Sequence, residues 1–172
     1  MRRRTAALMV LALGLSPLAA CLPNGVKDAS KLAIWQANGL PAKATLLNRM
    51  TPKGFFGPKA EWSGAGPGVW TVTVGQGIVL TARDAANGEA VSYTLVVTER
   101  PASVEKGSPI RDFVVAVAPP HLVSDAEAAA KRLQIFSDAS EPADAALGGL
   151  LFRYTPAGAG YRIDVAPASS PP

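Results

Sequence analysis

The chain has 172 residues, with 17 Lys and Arg against 13 Asp and Glu, and it contains one cysteine. Three of the basic residues are clustered at positions 2–4, so the rest of the chain holds 14 basic against 13 acidic residues. This near neutrality argues against the basic stripe of a nucleic-acid-binding domain, and a single cysteine excludes an internal disulfide, so burial of apolar surface must hold the fold together.

The N-terminus has the pattern of a secretory signal. Arginines at positions 2–4 precede a short apolar run over residues 5–20 that ends in small residues. A helix that spans a membrane needs about 20 apolar residues, and Gly14 and Pro17 weaken the end of this run. We therefore expect a removed signal peptide over residues 1–20 rather than a permanent transmembrane segment.

The end of this signal reads LAAC over residues 18–21. An ordinary cleavage site has small residues at the last and third-from-last positions, and Leu18 departs from that rule. The sequence instead resembles the lipobox of bacterial lipoprotein precursors. The resemblance covers residues 1–21 and implies that Cys21 receives a thioether-linked diacylglyceryl group and becomes the mature N-terminus. Leu22, in place of aspartate, implies the outer membrane facing the periplasm if the organism has two membranes.

A short tether is expected between this anchor and the folded domain. Each acyl CH₂ buried in a bilayer contributes about 0.8 kcal/mol, so two or three chains hold a protein far more firmly than one. Residues 21–30 reach roughly 30 Å, at about 3.3–3.6 Å per residue. We expect a single domain over residues 31–166 that works close to its membrane, and a disordered tail over residues 167–172.

Weak signals precede the first clear strand. A short helix is expected over residues 31–37, ended by Asn38 and Gly39. Residues 41–50 fit either a second short helix or a strand. Residues 51–68 are rich in proline and glycine, and we expect them to be irregular.

Three aromatic side chains lie in this irregular segment, namely Phe55, Phe56 and Trp62. Exposed aromatic residues in such a loop often anchor a protein or glycan partner. Alternatively, the loop folds over the sheet and the rings complete the core, since large rings dominate core energetics. We favour the core interpretation and keep these residues as candidate partner-binding residues.

A three-stranded meander follows. Residues 69–74 alternate apolar and polar side chains, the period of a strand. The next turn places Gly77 where a left-handed conformation is needed, and Asn87-Gly88 is the strongest short hairpin signal. The two turns independently send the same side chains of the middle strand to one face, and a slip of one residue would invert either set. The expected cross-strand pairs are Val74 with Ile78, Val72 with Leu80, Ala82 with Tyr93, and Leu80 with Leu95.

The second half of the chain is expected to add a strand, a helix and a hairpin. Residues 110–118 read as a fourth strand, and residues 125–136 as a helix capped by Ser124. Residues 137–149 are expected to be irregular. The final hairpin covers residues 150–165.

In that hairpin, Thr155 is expected to pair with Gly160, and Arg153 and Asp164 to form a diagonal ion pair on the other side. The expected architecture is one α+β domain, a mainly antiparallel sheet of about six strands with at least one packed helix.

The only histidine, His121, is a weak catalytic candidate. Ser124 and Asp125 lie near it in sequence, but a Ser-His-Asp triad needs three separately aimed side chains and an oxyanion site. A zinc site needs three or four converging ligands. We favour a loop-and-cap role and predict neither a cofactor nor a metal. The acidic residues Asp138, Glu141 and Asp144 suggest at most a weak cation site, and we favour a solvated loop.

Two functions are consistent with these observations. The favoured one is a lipid-anchored, non-enzymatic binding or structural accessory of the cell envelope, which offers a sheet face or the Phe55–Trp62 loop to an envelope protein. The alternative is a periplasmic hydrolase or small-ligand-binding enzyme that uses His121 and nearby carboxylates.

Overall fold

A computed structural model describes residues 35–51, 60–74, 77–99, 108–137 and 141–168 of the chain. The expected signal peptide, Cys21 and the tether lie outside these ranges, as do Phe55, Phe56 and Asp138. The statements below concern the described ranges.

The described residues form a seven-stranded sheet. Its strands are β1 (Ser63–Gly66), β2 (Val69–Val74), β3 (Ile78–Asp84), β4 (Ala90–Val97), β5 (Ala143–Leu147), β6 (Leu150–Ala157) and β7 (Gly160–Pro167). They lie in the order β1-β2-β3-β4-β7-β6-β5, and every neighbouring pair is antiparallel. The predicted α+β class with an antiparallel sheet is confirmed.

In the described ranges, three α-helices accompany the sheet: α1 (Lys43–Met50), α2 (Pro109–Val117) and α3 (Val123–Ser137), and a 3₁₀ turn lies at Pro120–Leu122. The fourth strand predicted over residues 110–118 is wrong, because this segment is α2. Ile110, Phe113, Val114 and Val117 follow the i, i+3, i+4, i+7 spacing of a helix face, and all four are buried. Pro109 suits the first helical position, where its missing N–H costs nothing.

The predicted meander is confirmed in register. Val72 pairs with Leu80, and Leu80 pairs with Leu95. Gly77 has a φ of +75°, and a Cβ at this position would collide with the Thr98 hydroxyl, so only glycine closes the first hairpin without strain.

The second hairpin ends differently from the prediction. Asp84 pairs with Ala90, and the ladder shifts between Arg83 and Asp84. The expected register pairs Ala86 with Glu89 around the Asn87-Gly88 turn, and a bulge replaces this tight closing pair.

The final hairpin forms, but its predicted register is wrong by two residues. Ala157 pairs with Gly160 across a two-residue turn in which Gly158 has a φ of +59°. A shift of two residues keeps every side chain on its predicted face. The predicted diagonal ion pair is also wrong, because Arg153 donates to Asp144 of β5 and Asp164 accepts from Arg162.

Both edge strands occupy segments that were expected to be irregular. β1 has the sequence SGAG and β5 has ADAAL, so neither carries the β-branched or aromatic residues typical of strands. Near the described N-terminal end, Trp35 forms an isolated antiparallel bridge with Pro41. The helix predicted over residues 31–37 is therefore wrong for residues 35–37, which are not helical. Residues 31–34 lie outside the described ranges.

The two faces of the sheet differ in burial. We call the inner face the side whose residues are buried in one core with apolar side chains of the helices. Its buried members are Val72, Leu80, Ala82, Tyr93, Leu95, Val97, Ala145, Leu147, Leu150, Phe152, Tyr154, Tyr161, Ile163 and Val165. The outer face is half-polar, and its residues are exposed or half-buried. Its members include Thr71, Thr73, Val79, Thr81, Ser92, Thr94, Val96, Leu151, Arg153, Arg162 and Asp164.

Candidate functional site

An exposed tryptophan distinguishes one end of the inner face. Trp70 pairs with Ala82, which places it on the inner face, yet 36% of its surface is exposed. The next inner-face residue of β2, Val72, is only 3% exposed. Sequence alternation predicts the face of Trp70 correctly but not its exposure. Its position at the start of β2, directly after a glycine-rich turn, was the available signal.

Two charged side chains hold the Trp70 ring, and we call Trp70, Lys43 and Asp84 the rim cluster. The indole Nε1 of Trp70 donates a hydrogen bond of 2.8 Å to Asp84 Oδ2. Lys43, the first residue of α1, forms an ion pair with the same carboxylate oxygen. The Lys43 ammonium also lies 4.9 Å from the centroid of the Trp70 ring, within cation–π range. These mutual contacts fix the orientation of the ring.

The carboxylate in this cluster is almost completely buried. The Asp84 side chain is 6% exposed, whereas that of Lys43 is 21% exposed. Burying a carboxylate is costly unless it is paired and hydrogen-bonded. Lys43 and Trp70 satisfy Oδ2, while Oδ1 is buried without a hydrogen-bond partner among the described residues. The backbone N–H of Asp84 donates to Gly68 O at 2.8 Å, which ties the cluster to the β1–β2 turn.

Behind the rim cluster, two further aromatic residues pack inward. The Tyr93 hydroxyl donates a hydrogen bond of 2.6 Å to Pro41 O. Burial, and to a lesser extent the Asp84 charge, raise the pKa of the Tyr93 phenol above its ordinary value. Trp62 donates from Nε1 to Lys43 O at 3.0 Å, and its ring centroid lies 6.3 Å from that of Tyr93. Trp62 is half-buried against the core, so its main contacts are inside the domain.

The other flank of Trp70 is open. Gly64 of β1 lies directly opposite Trp70, and a Cβ built at Gly64 would meet nothing within 4 Å. All four residues of β1 are exposed. The ring therefore borders a stretch of bare edge-strand backbone.

The predicted catalytic candidate lies elsewhere. His121 is exposed on the 3₁₀ turn, and Ser124 and Asp125 are exposed at the start of α3. Because α3 begins at Val123, Ser124 lies within the helix rather than at its cap. Within the described ranges, no group of three or more His, Cys, Asp and Glu residues is placed to hold a metal ion.

The acidic loop candidates are solvated where they are described. Glu141 is exposed, and about half of the Asp144 side chain is exposed while it accepts from Arg153 Nε at 3.2 Å. Asp144 is thus committed to a surface ion pair between β5 and β6.

A second aromatic–cation contact closes the end of α2. Arg49 donates to Val115 O at 2.8 Å and to Ala118 O at 2.9 Å, and its guanidinium lies 5.1 Å from the Trp35 ring centroid. A cation near the last carbonyls of a helix satisfies unpaired acceptors and favours the helix dipole. Burial lowers the pKa of Arg49 from its ordinary value. This contact is structural, because it joins α1, α2 and the N-terminal end of the described domain.

Comparison of the chain with protein-family models, with curated proteins and with solved structures finds no match. No helix in the described part of the chain has both the length and the apolar character that crossing a bilayer requires.

Proposed function

We propose that the protein is a lipid-anchored, non-enzymatic binding protein of the cell envelope. The LAAC motif at residues 18–21 supports the anchor, because Cys21 stands where lipoprotein precursors are acylated. The near-neutral charge of the chain after residue 20 gives no reason to invoke nucleic acid. The anchored domain would work within the short reach of its tether, on the periplasmic side of an outer membrane where one is present.

The observation that carries the binding role is the fixed, exposed ring of Trp70. Among the described residues, the large hydrophobic side chains that are exposed are Trp70 and Val91, at 36% and 39%. Tryptophan is enriched at the energetic centres of binding surfaces. A ring already held by Asp84 and Lys43 has little freedom left to lose when a ligand binds. The cluster thus has the features of a recognition site.

The hydrolase alternative is not favoured by any observation in the described ranges. It required His121 together with further polar groups in a concave pocket, but His121 is exposed on its turn. The nearby Asp125 side chain is exposed as well. We therefore do not assign a catalytic role to His121.

The anchor is tested by mass spectrometry of the mature N-terminus. We expect wild-type protein to begin at a diacylglyceryl-modified Cys21 and to fractionate with membranes. Cys21→Ser should yield unacylated precursor or soluble protein, whereas Ser16→Ala, outside the LAAC motif, should be processed normally. A wild-type protein that is unacylated, or that begins at another residue, would refute the anchor.

The binding role is tested separately from the anchor by exporting the domain with an ordinary signal and with Cys21→Ser. We expect this unanchored domain to sediment with isolated envelopes. Trp70→Ala should reduce the bound fraction about tenfold or more, which is the loss expected for an aromatic residue at the centre of a binding surface. Thr73→Ala, an exposed outer-face change on the same strand, is the matched control. Equal sedimentation of all three proteins, or none, would contradict the proposal.

A further inference from the structure

The open space beside Trp70 is a property of the sequence of β1. Gly64 has no side chain, and its backbone is not in the left-handed region, so the position does not require glycine for its conformation. Side chains directly opposite each other on antiparallel strands lie about 4.5–5.5 Å apart at Cβ. The position on β1 directly opposite Trp70 therefore holds no side chain and is open, and we call this open space the hollow.

Polar groups surround this single ring. The Lys43 ammonium lies 4.9 Å from the ring centroid, and its side chain remains 21% exposed. β1 is the edge strand of the described sheet, and an edge strand directs part of its backbone N–H and C=O groups away from its neighbour. The hollow thus lies beside one aromatic surface, a cation and the exposed backbone of an edge strand.

The size of the apolar surface separates two classes of ligand. A stable protein interface buries about 800 Å² on each partner around several large side chains. In the described chain, Val91 is the only large exposed hydrophobic residue besides Trp70. Two exposed hydrophobic side chains are few for a protein interface, but an exposed indole suits a ligand with one apolar face and a polar periphery.

We infer that Trp70, Lys43 and the bare backbone at Gly64 form a saccharide-binding site. A pyranose ring has a face of C–H groups that matches the electron-rich face of an indole, and its hydroxyl groups point outward toward Lys43 and the edge of β1. Hydroxyl groups both donate and accept, so they can pair with an ammonium, with N–H groups and with carbonyls. This inference rests on the proposed binding function and names its ligand class.

The test follows the indole N–H signals of the folded, unanchored domain by NMR. The chain has three tryptophans, and Trp70→Phe identifies the signal of Trp70 by its loss. The probes are chitotetraose and cellotetraose, which carry the same linkage with and without N-acetyl groups. We expect saturable movement of the Trp70 signal with at least one probe, while the signals of Trp35 and Trp62 move less.

Gly64→Val is the decisive variant. A Cβ at this residue would have no heavy atom within 4 Å, so the variant places a side chain in the open space opposite Trp70. We expect this change and Trp70→Ala each to weaken saccharide binding at least tenfold, with an unchanged melting temperature for Gly64→Val. Thr73→Ala, on the outer face, should bind like the wild type. Undiminished binding by Gly64→Val would overturn the placement of the site.

The outcome for the ligand class is separable from the outcome for the proposed function. If neither probe moves the Trp70 signal at about 10 mM, yet the domain sediments with envelopes in a Trp70-dependent and protease-sensitive manner, the saccharide inference is overturned and a protein is the ligand. If protease-treated envelopes still bind the domain, the inference is supported. If the domain fails to sediment and no signal moves, both proposals fall.

Discussion

The inner and outer faces of the sheet are built from the same strands but respond to different demands. On β4, Leu95 is completely buried on the inner face, while its neighbours Thr94 and Val96 are half-buried on the outer face. The inner face is packed with large apolar side chains, and the outer face carries threonines and surface ion pairs. Alternation along each strand thus places the apolar side chains that stabilise the core on one face and many of the polar side chains on the other.

The rim cluster departs from this division between a buried apolar face and a more exposed, partly polar one. Trp70 and Asp84 belong to the inner face by register, because Trp70 pairs with Ala82 and Asp84 with Ala90. Instead of an apolar core, however, they form an ion-paired, partly exposed surface with Lys43. We therefore expect mutations to lower the free energy of unfolding by different amounts. The loss should be large in the apolar inner face, intermediate at its polar rim, and small on the outer face.

The largest effect is expected for Leu95→Ala. Removing a completely buried leucine side chain costs about 2–5 kcal/mol through lost burial and a residual cavity. Val96→Ala on the adjacent outer-face position should cost less than about 1 kcal/mol. Urea denaturation of both variants measures the difference. Similar losses at the two positions would contradict the assignment of the faces.

An intermediate effect is expected for Asp84→Asn at the rim. This change removes the charge that pairs with Lys43 and weakens the acceptor for the Trp70 indole. We expect a loss of about 1–3 kcal/mol, below that of a fully buried pair, because Lys43 is one-fifth exposed and can turn to solvent. Urea denaturation measures the loss, and adding Lys43→Met should recover part of it. Full additivity of the two changes would show that they do not interact.

A related rim prediction concerns Tyr93→Phe, which removes the hydrogen bond to Pro41 O and should cost about 1–2 kcal/mol. Because the pKa of Tyr93 is raised in the folded protein, the unfolded state loses this proton first as pH rises. The phenol's contribution to stability is therefore complete below about pH 10 and declines above it. Denaturation between pH 8 and about pH 11 should show a steeper decline for wild type than for Tyr93→Phe. Parallel curves would refute the assignment.

The central strands were predictable because two independent turns fixed them. Gly77 and Asn87-Gly88 imposed the same face on β3, so an error in either would have produced a visible conflict. The final hairpin lacked such a second constraint. Its faces were predicted correctly, but its partners were displaced by two residues, since Gly158 allowed a tighter turn than expected.

The errors arose where local preference and tertiary context disagree. Residues 110–117 are rich in valine, which favours strands, yet their apolar spacing is helical and α2 buries that face. The edge strands β1 and β5 consist mainly of small residues, and only pairing with a neighbour makes them strands. For the candidate site, alternation placed Trp70 on the correct face. The glycine-rich turn before β2 was a local signal for its exposure, but its contacts with Lys43 depend on where α1 begins on the folded sheet, which no local pattern encodes.

The smallest effect is expected for Arg153→Gln on the outer face. Its ion pair with Asp144 joins side chains that are 52% and 46% exposed, and exposed pairs contribute about 0–1 kcal/mol. We expect a loss within that range that shrinks further in about 1 M salt, where charges are screened beyond roughly 3 Å. Urea denaturation at low and high salt measures it, with Thr73→Ala as the uncharged control. A loss above about 2 kcal/mol would mean that another molecule buries the pair in solution. The outer face would then be a covered surface, and its contrast with the inner face would not hold.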